Sequence, residues 1–568
     1  MNREPFAWAN GATRTFMERG YLQNGETVEE RCWDIAYTAE LILEMPGYAK
    51  KLYDYLSRGW FSLASPVWSN FGRYGLSISC NNDYIPDDIA GMMTKLAEIG
   101  MMTKNGAGTS GFFGDIRPRG SKITGGGVAD GPVHFMNLFE TQIDIVSQGN
   151  VRRGNFAAYL PVEHPDIMEF LECREEGASI QKLSLGITVT DEWMQSMIDG
   201  DADKRKIWAR VLRKRFETGF PYIVFHDTVN NNAPDVYRAK GMLIRGSNLC
   251  AEIALASSLD ESFVCDLGSM NLLHYDEWKD TDAVEVHIFL LDAVMSEYIE
   301  KASEIPHMEA AVRFATNQRA LGLGTLGYHS ALQSKMIAFE SMEAKMLNIE
   351  MHKAVYEQAL AASAKLAEIY GEPELLKGYG RRNVTVCAIA PTTSSSFILG
   401  QVSPSIEPLL DNYHTKNLAK GKFTYRNPYL DDLLYDLSFE LNPNEGDLND
   451  QEHEEMCEHW LEEQWQSILQ HGGSIQHLDL PADVKMVFKT FGEISQLEII
   501  QQAAGRQKYL DQMQSINLMI PPKTPMKQVN ELIITAWELG VKSLYYQRST
   551  NPAQALVRDI LTCSSCEA

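Results

Sequence analysis

Asn248, Cys250 and Glu252, in the stretch GSNLCAEI, place an amide, a thiol and a carboxyl two residues apart. If the segment is extended, alternation sends all three side chains to one side. A redox-active sulfur would then sit beside a proton acceptor; the plain alternative is a buried strand cysteine with incidental polar neighbours. Cys80 in LSISCNN and Cys265 in SFVCDLGSMNL each stand alone in apolar runs, where cysteine commonly acts as a small hydrophobe. The chain closes on LTCSSCEA, whose Cys563 and Cys566 have the spacing of a dithiol that closes and reopens by exchange. A zinc site would need four ligands, and no second such pair occurs among the nine cysteines. Tyr545 and Tyr546 are adjacent phenols; in a strand, one would face the core and the other the surface. In APTTSSSF, the hydroxyls of Thr392, Thr393, Ser394, Ser395 and Ser396 suit a diphosphate if the run is a turn or helix start, or else simply form a turn. His453 and Cys457 lie four apart in an acidic stretch with no third ligand nearby, which reads as a solvated helix face.

A chain of 568 residues, 44% hydrophobic and 22% charged, can bury a large core. Its net charge of −25 argues against a general nucleic-acid or anionic-membrane surface. No apolar leader or run of 18 apolar residues is present, so the expectation is a soluble, cytoplasmic protein with reduced thiols. Residues 1–64 read as an N-terminal helical region. Its clearest helix follows Thr27, with a capping box to Glu30 and Ile35, Ala39 and Ile42 on one face. From Ser65 to Gln547, short β-branched runs such as SIQKLSLGITVT, PYIVFHD and NVTVCAIAP alternate with helical periodicity, the pattern of one large α/β body. ELNPNEGDLNDQEHEEMCEHWLEEQW reads as an acidic helical insertion, and residues 548–568 as a flexible tail.

In order and wording, the chain from Ser65 onward resembles the large, catalytic subunit of class I ribonucleotide reductase. The resemblance rests on SPVWSN, SISC, KNGAGTSGFFGDIRPRGS, SQGNVRRGNFAAYLPVEHPDI, SNLCAEI, CDLGSMNL, RALGLGTLG, APTTSSSFILG, RQKYLDQMQSINLMI, SLYYQRS and the terminal CSSC. It implies a ten-stranded α/β barrel of two parallel five-stranded halves, with the Cys250 loop threading the centre. It also implies a nucleoside-diphosphate reductase. Cys250 is the transient thiyl that takes the 3′-hydrogen, Glu252 the base for the 3′-hydroxyl, and Asn248 the group that holds the hydroxyls. Cys80 and Cys265 form the reducing pair, and Cys563 and Cys566 shuttle electrons to it from a thioredoxin or glutaredoxin. At about 3.3 Å per residue, the seventeen positions from Tyr546 to Cys563 give a reach on the order of 50 Å.

By the same resemblance, Tyr545 and Tyr546 are a stacked pair relaying a radical from a dimetal or tyrosyl cofactor in a separate small subunit, with no redox metal in this chain. Ser65 and Ser79 join residues 392–396 in holding substrate. Asp87, Arg117 and the Gly-rich segment with Lys122 resemble the site for a deoxynucleoside triphosphate or ATP effector, and Gln148 and Arg152 the loop that passes its choice to the active site. One departure is Thr124, where the family often carries a second arginine. A homodimer is implied. An inactive nucleotide-binding regulatory homologue is the alternative from another class, which the full set of cysteines and tyrosines tells against. A cobalamin-dependent reductase is the other, and the tyrosine pair disfavours it. The 64 residues before SPVWSN are too few for an ATP cone, so the expectation is that dATP does not shut activity off. A dATP titration against CDP reduction, at fixed small subunit, checks this.

Overall fold

A strand buried on both faces needs a continuous apolar run closed by turn residues, and FAAYLP, SLGITV and YIVF are such runs. The computed structural model describes residues 4–23, 25–148, 152–418, 421–442 and 449–549. Five staves run parallel in chain order: β1 (Cys80–Tyr84), β2 (Thr109–Phe112), β3 (Phe156–Pro161), β4 (Ser184–Val189) and β5 (Tyr222–Phe225). Helices such as Ile89–Lys104 and Pro132–Ile145 return the chain between them, as parallel pairing demands.

The second half begins with β6 (Phe263–Asn271), antiparallel to β1 and parallel to β7 (Leu321–Leu326). NVTVCAIAP then runs beside β7: Leu321 and Leu323 N–H donate to the carbonyls of Thr385 and Val386, and Ile389 bridges Gln514 in parallel. Its β-branched residues predict a strand, yet its backbone is irregular, because the Asp511 carboxylate takes the N–H groups of Val386 and Cys387 at 2.7 and 2.9 Å. Three short pieces follow: β8 (Leu518–Met519), β9 (Ser543–Leu544) and β10 (Gln547–Arg548). β10 is parallel to β8, β9 is antiparallel to β5, and Tyr545 N–H donates to Ile516 O. The result is a curled, mixed sheet of nine strands, made of β1–β7, β9 and Phe61–Leu63, which pairs antiparallel with β6; β8 and β10 form a separate pair.

The N-terminal region is helical as read, with helices Gly11–Gly20, Val28–Leu43 and Tyr48–Ser57. The capping box holds: Glu30 N–H donates to Thr27 Oγ1 at 3.2 Å, and Thr27 N–H to Glu30 Oε2 at 2.8 Å. Ile35 and Ala39 are buried and Ile42 is half-buried on the inward face. The acidic insertion differs from a plain solvated face. Helix Asp450–Gln470 buries Cys457, Trp465 and Ile468, and the last two join Leu430, Leu434 and Phe488 in a separate small core. His453 and Cys457 bond the carbonyls of Asn442 and Ser438, and no group of three or more metal-ligating side chains occurs among the described residues. No described helix is long and apolar enough to cross a membrane.

Candidate active site

The segment around Cys250 is a turn, not the extended run that alternation suggests: Ala251 N–H bonds Asn248 O at 3.3 Å, and Ala251 takes a left-handed φ of 59°. An extended segment in the middle of a barrel would find no neighbouring strand, so side chains from both halves take up its backbone polar groups. From one half, Asn82 Nδ2 and Ser110 Oγ donate to Ser247 O at 3.1 and 2.7 Å, and Tyr159 OH donates to Asn248 O at 2.8 Å. From the other, Ser515 Oγ donates to Cys250 O at 2.6 Å, Ser543 Oγ to Ala251 O at 3.0 Å, and Met513 N–H to Glu252 O at 2.9 Å. The loop thus lies between the halves, and the turn still brings Asn248, Cys250 and Glu252 to one cavity.

Asn248 Oδ1 accepts the N–H groups of Glu252 and Ile253, both at 3.2 Å, which locks the turn. Burial pushes the Glu252 carboxyl up to about 7, against hydrogen bonds to Asn248, its own backbone and Ser515. A carboxylate so placed is a general base matched to neutral pH. Cys80 lines the same cavity and stands directly opposite Cys265 in the antiparallel β1–β6 pair. Facing residues of such a pair have Cβ atoms about 4.5–5.5 Å apart, close to what a disulfide needs. Both sulfurs are free thiols here, and burial raises both well above the ordinary thiol range. Gln512 Nε2 lies 3.4 Å from the Cys265 sulfur.

Ser65, Ser79 and residues 392–395 line the same cavity as Cys80 and Cys250. Thr392 has a left-handed φ of 52° at the start of helix Thr393–Ile398, and Ser395 Oγ reaches Leu63 O at 3.3 Å. Ser396 is buried and is not on the cavity wall. Tyr545, 2% exposed, also faces the cavity; its ring centroid is 4.3 Å from that of Tyr546, the planes inclined at 62°. The contact is edge-on where the resemblance implies stacking. Tyr222 on β5 explains the tilt, packing 4.6 Å from Tyr545 and 5.1 Å from Tyr546.

Residues 78–204, 198–375 and 373–547 match the ribonucleotide reductase barrel domain, and residues 9–75 match the ribonucleotide reductase all-alpha domain. The chain belongs to the ribonucleotide reductase large-subunit family. It is 35% identical over 528 residues to the putative ribonucleoside-diphosphate reductase large subunit of Frog virus 3, covering 89% of this chain and 88% of that one. Against the ribonucleoside-diphosphate reductase large subunit of Invertebrate iridescent virus 3, identity is 31%, with 88% of each covered. The solved structure of the Actinobacillus ureae class Id ribonucleotide reductase alpha subunit superposes with a TM-score of 0.89. The two chains are 50% identical, with 99% of this chain and 100% of the other covered.

Other residues singled out as ribonucleotide reductase sites fall elsewhere in the fold. Asp87 and Arg117 pair with each other, Arg117 Nε donating to Asp87 Oδ2 at 2.7 Å. Lys122 is exposed on a hairpin held by Gly120 N–H to Ala129 O and Ala129 N–H to Ser121 O, both at 2.8 Å. Gly125 and Gly126 at its tip have φ near +95° and open space around them, where a ligand can approach the backbone. Gln148 and Arg152 are register partners in a short antiparallel pair of strands. Cys563 and Cys566 lie outside the described residues. Missed at the sequence level were Ser515, Ser543, Tyr159 and Tyr222, which touch the site. SINLMI and SLYYQRS hold the two serines inside quoted motifs, but only the crossing loop shows what their hydroxyls bond.

Proposed function

We propose that this chain is the catalytic subunit of a class I ribonucleoside-diphosphate reductase, reducing the 2′-carbon of a ribose by thiyl-radical chemistry. The observation that carries the reading is a single cavity lined together by Cys250, Glu252, Asn248 and Cys80, by the hydroxyl residues Ser65, Ser79 and 392–395, and by Tyr545. The Cys250 thiyl takes the 3′-hydrogen atom while Glu252 accepts the 3′-hydroxyl proton, which makes the adjacent C–O bond labile. The 2′-hydroxyl leaves as water with one thiol proton of the Cys80–Cys265 pair, the other thiol proton ends on the 2′-carbon, and Glu252 returns its proton to the 3′-oxygen. Cys80 and Cys265 supply two electrons and become a disulfide, and the 3′-hydrogen returns from Cys250, regenerating its thiyl. Ser65, Ser79 and residues 392–396 hold the diphosphate. The radical is supplied by the dimetal or tyrosyl cofactor of a separate small subunit and reaches Cys250 through Tyr546 and Tyr545.

In this reading residues 1–64 support the barrel of residues 65–547, and residues 548–568 carry the Cys563–Cys566 dithiol that exchanges with Cys80–Cys265 and is reduced by a thioredoxin or glutaredoxin. Asp87, Arg117 and Lys122 bind a deoxynucleoside triphosphate or ATP, with Gln148 and Arg152 relaying base choice in a cytoplasmic homodimer. The test is CDP reduction with and without a metal-loaded small subunit, and with added adenosylcobalamin. Activity that needs the small subunit supports the reading. Activity with adenosylcobalamin alone, or none under any condition, overturns it.

Two further results are expected. kcat/KM should rise with pH through about 7, as the buried Glu252 carboxyl ionises, and Glu252→Gln should abolish that limb along with turnover. Because the folded-state value is raised, Glu252 contributes stability at low pH that is lost as pH climbs from the ordinary carboxylate range to about 7. Glu252→Gln should therefore be the more stable protein at pH 8, as thermal melts at pH 5 and 8 would show. Tyr546→Phe should block radical transfer while changing subunit binding by no more than about 1 kcal/mol, the contribution of one phenol hydrogen bond. Activity and a small-subunit titration measure the two separately.

A further inference from the structure

We infer that Tyr21, Thr13 and Arg31, all from the N-terminal helices, are positioning residues for the substrate's diphosphate, clamping from behind the two segments that present hydroxyls to the cavity. The inference rests on the reading of Ser65 and residues 392–395 as the diphosphate cradle. Ser65 opens the short helix Ser65–Asn70, and Tyr21 OH lies 3.0 Å from Ser65 Oγ in a buried contact. A serine hydroxyl has one proton and two acceptor positions. With the Tyr21 phenol donating, the Ser65 proton is left for a phosphate oxygen, and its oxygen cannot turn away from the cavity. Arg31, fully buried, secures the other end of the same helix: its guanidinium donates to Trp68 O at 2.8 Å, Val67 O at 3.0 Å and Phe71 O at 2.8 Å. These carbonyls lie at the helix end, where the ladder runs out; Val67 O also accepts the Phe71 N–H at 3.3 Å.

The second cradle segment is held in the same manner. Thr13, 1% exposed, has its hydroxyl 3.1 Å from Ile398 O and 3.4 Å from Phe397 O, at the end of helix Thr393–Ile398. The Phe16 ring packs 4.7 Å from that of Phe397. Gly400, φ +79°, packs against the backbone of Trp8, where a Cβ would make ordinary contact at 3.4 Å from Trp8 O. The Ser395–Leu63 bond then ties the two cradle segments to each other. Neither Tyr21 nor Thr13 lines the cavity, so each acts on substrate only by fixing a group that does.

The test compares the binding and reduction of CDP with the binding of cytidine, which has no phosphates, in Tyr21→Phe, Thr13→Val, Ser65→Ala and the Tyr21→Phe/Ser65→Ala double variant of the full chain. Tyr21→Phe should raise the KM and the dissociation constant for CDP about fivefold at unchanged kcat, as for loss of one hydrogen bond, and leave cytidine binding as it was. Thr13→Val should act in the same direction. The double variant should bind CDP no worse than Ser65→Ala alone, since Tyr21 works through Ser65. If Ser65→Ala weakens CDP binding and Tyr21→Phe does not, the clamp is overturned while the cradle stands. If Ser65→Ala itself leaves CDP binding unchanged, the cradle reading fails and the clamp with it. A lower melting temperature and lower kcat in Tyr21→Phe at unchanged KM would show packing alone and also overturn the inference.

Discussion

Cys250→Ser should lose about 10⁴-fold or more in turnover, the scale on which a reacting group is removed from an active site, while substrate binding and thermal stability stay within about 1 kcal/mol of the parent protein. A hydroxyl is far harder to oxidise to a radical than a thiol, so the variant keeps the size and polarity of the side chain and loses only its redox chemistry. The turn should survive the change. Its backbone is held by Asn248, Ser515, Ser543 and Tyr159 through the carbonyls of Asn248, Cys250 and Ala251 and the N–H groups of Glu252 and Ile253. The measurements are CDP reduction, CDP binding and release of tritium from 3′-labelled substrate. Residual reduction well above background, or tritium release at the parent rate, would remove Cys250 from the role of hydrogen-atom acceptor.

The second large effect is expected at Cys265. In Cys265→Ser, deoxynucleotide production should fall to background, because Cys80 alone can give only one of the two electrons that reduction needs. Tritium release from the 3′-position should continue, since the step at Cys250 precedes the need for the thiol pair. That combination separates the two cysteine roles: one variant stops the first step, the other stops a later one. The register makes the assignment specific, for Cys80 opposes Cys265 and neither Asn81 nor Asn82 does. Unimpaired deoxynucleotide production, assayed with thioredoxin as reductant, would rule out the Cys80–Cys265 disulfide.

What the sequence alone determined was the chemical inventory and the class of the fold. Alternating β-branched runs and helical stretches specify an α/β body because strand and helix periodicities are local properties of the chain. The capping box at Thr27 and Glu30 was equally legible, since its four residues carry the whole interaction. The resemblance implied a ten-stranded barrel and the grouping of thiols, carboxyl and tyrosines, of which Cys80, Cys250, Glu252 and Tyr545 line one cavity. Three matters were decided only by the tertiary structure. The Asn248–Glu252 segment became a turn because it crosses the barrel between two half-sheets and takes its hydrogen bonds from Ser515, Ser543 and Tyr159, residues far away in the chain. Tyr545 and Tyr546 met edge-on because Tyr222, on another stave, packs against both rings. Tyr21, just past the helix Gly11–Gly20, and Arg31, in the next helix, read locally as packing residues; what they hold is visible only where this region meets Ser65–Asn70. Local periodicity says which face of an element is apolar. It does not say which polar group across the fold will meet that face, because that depends on the closure of the barrel and the long-range register it imposes.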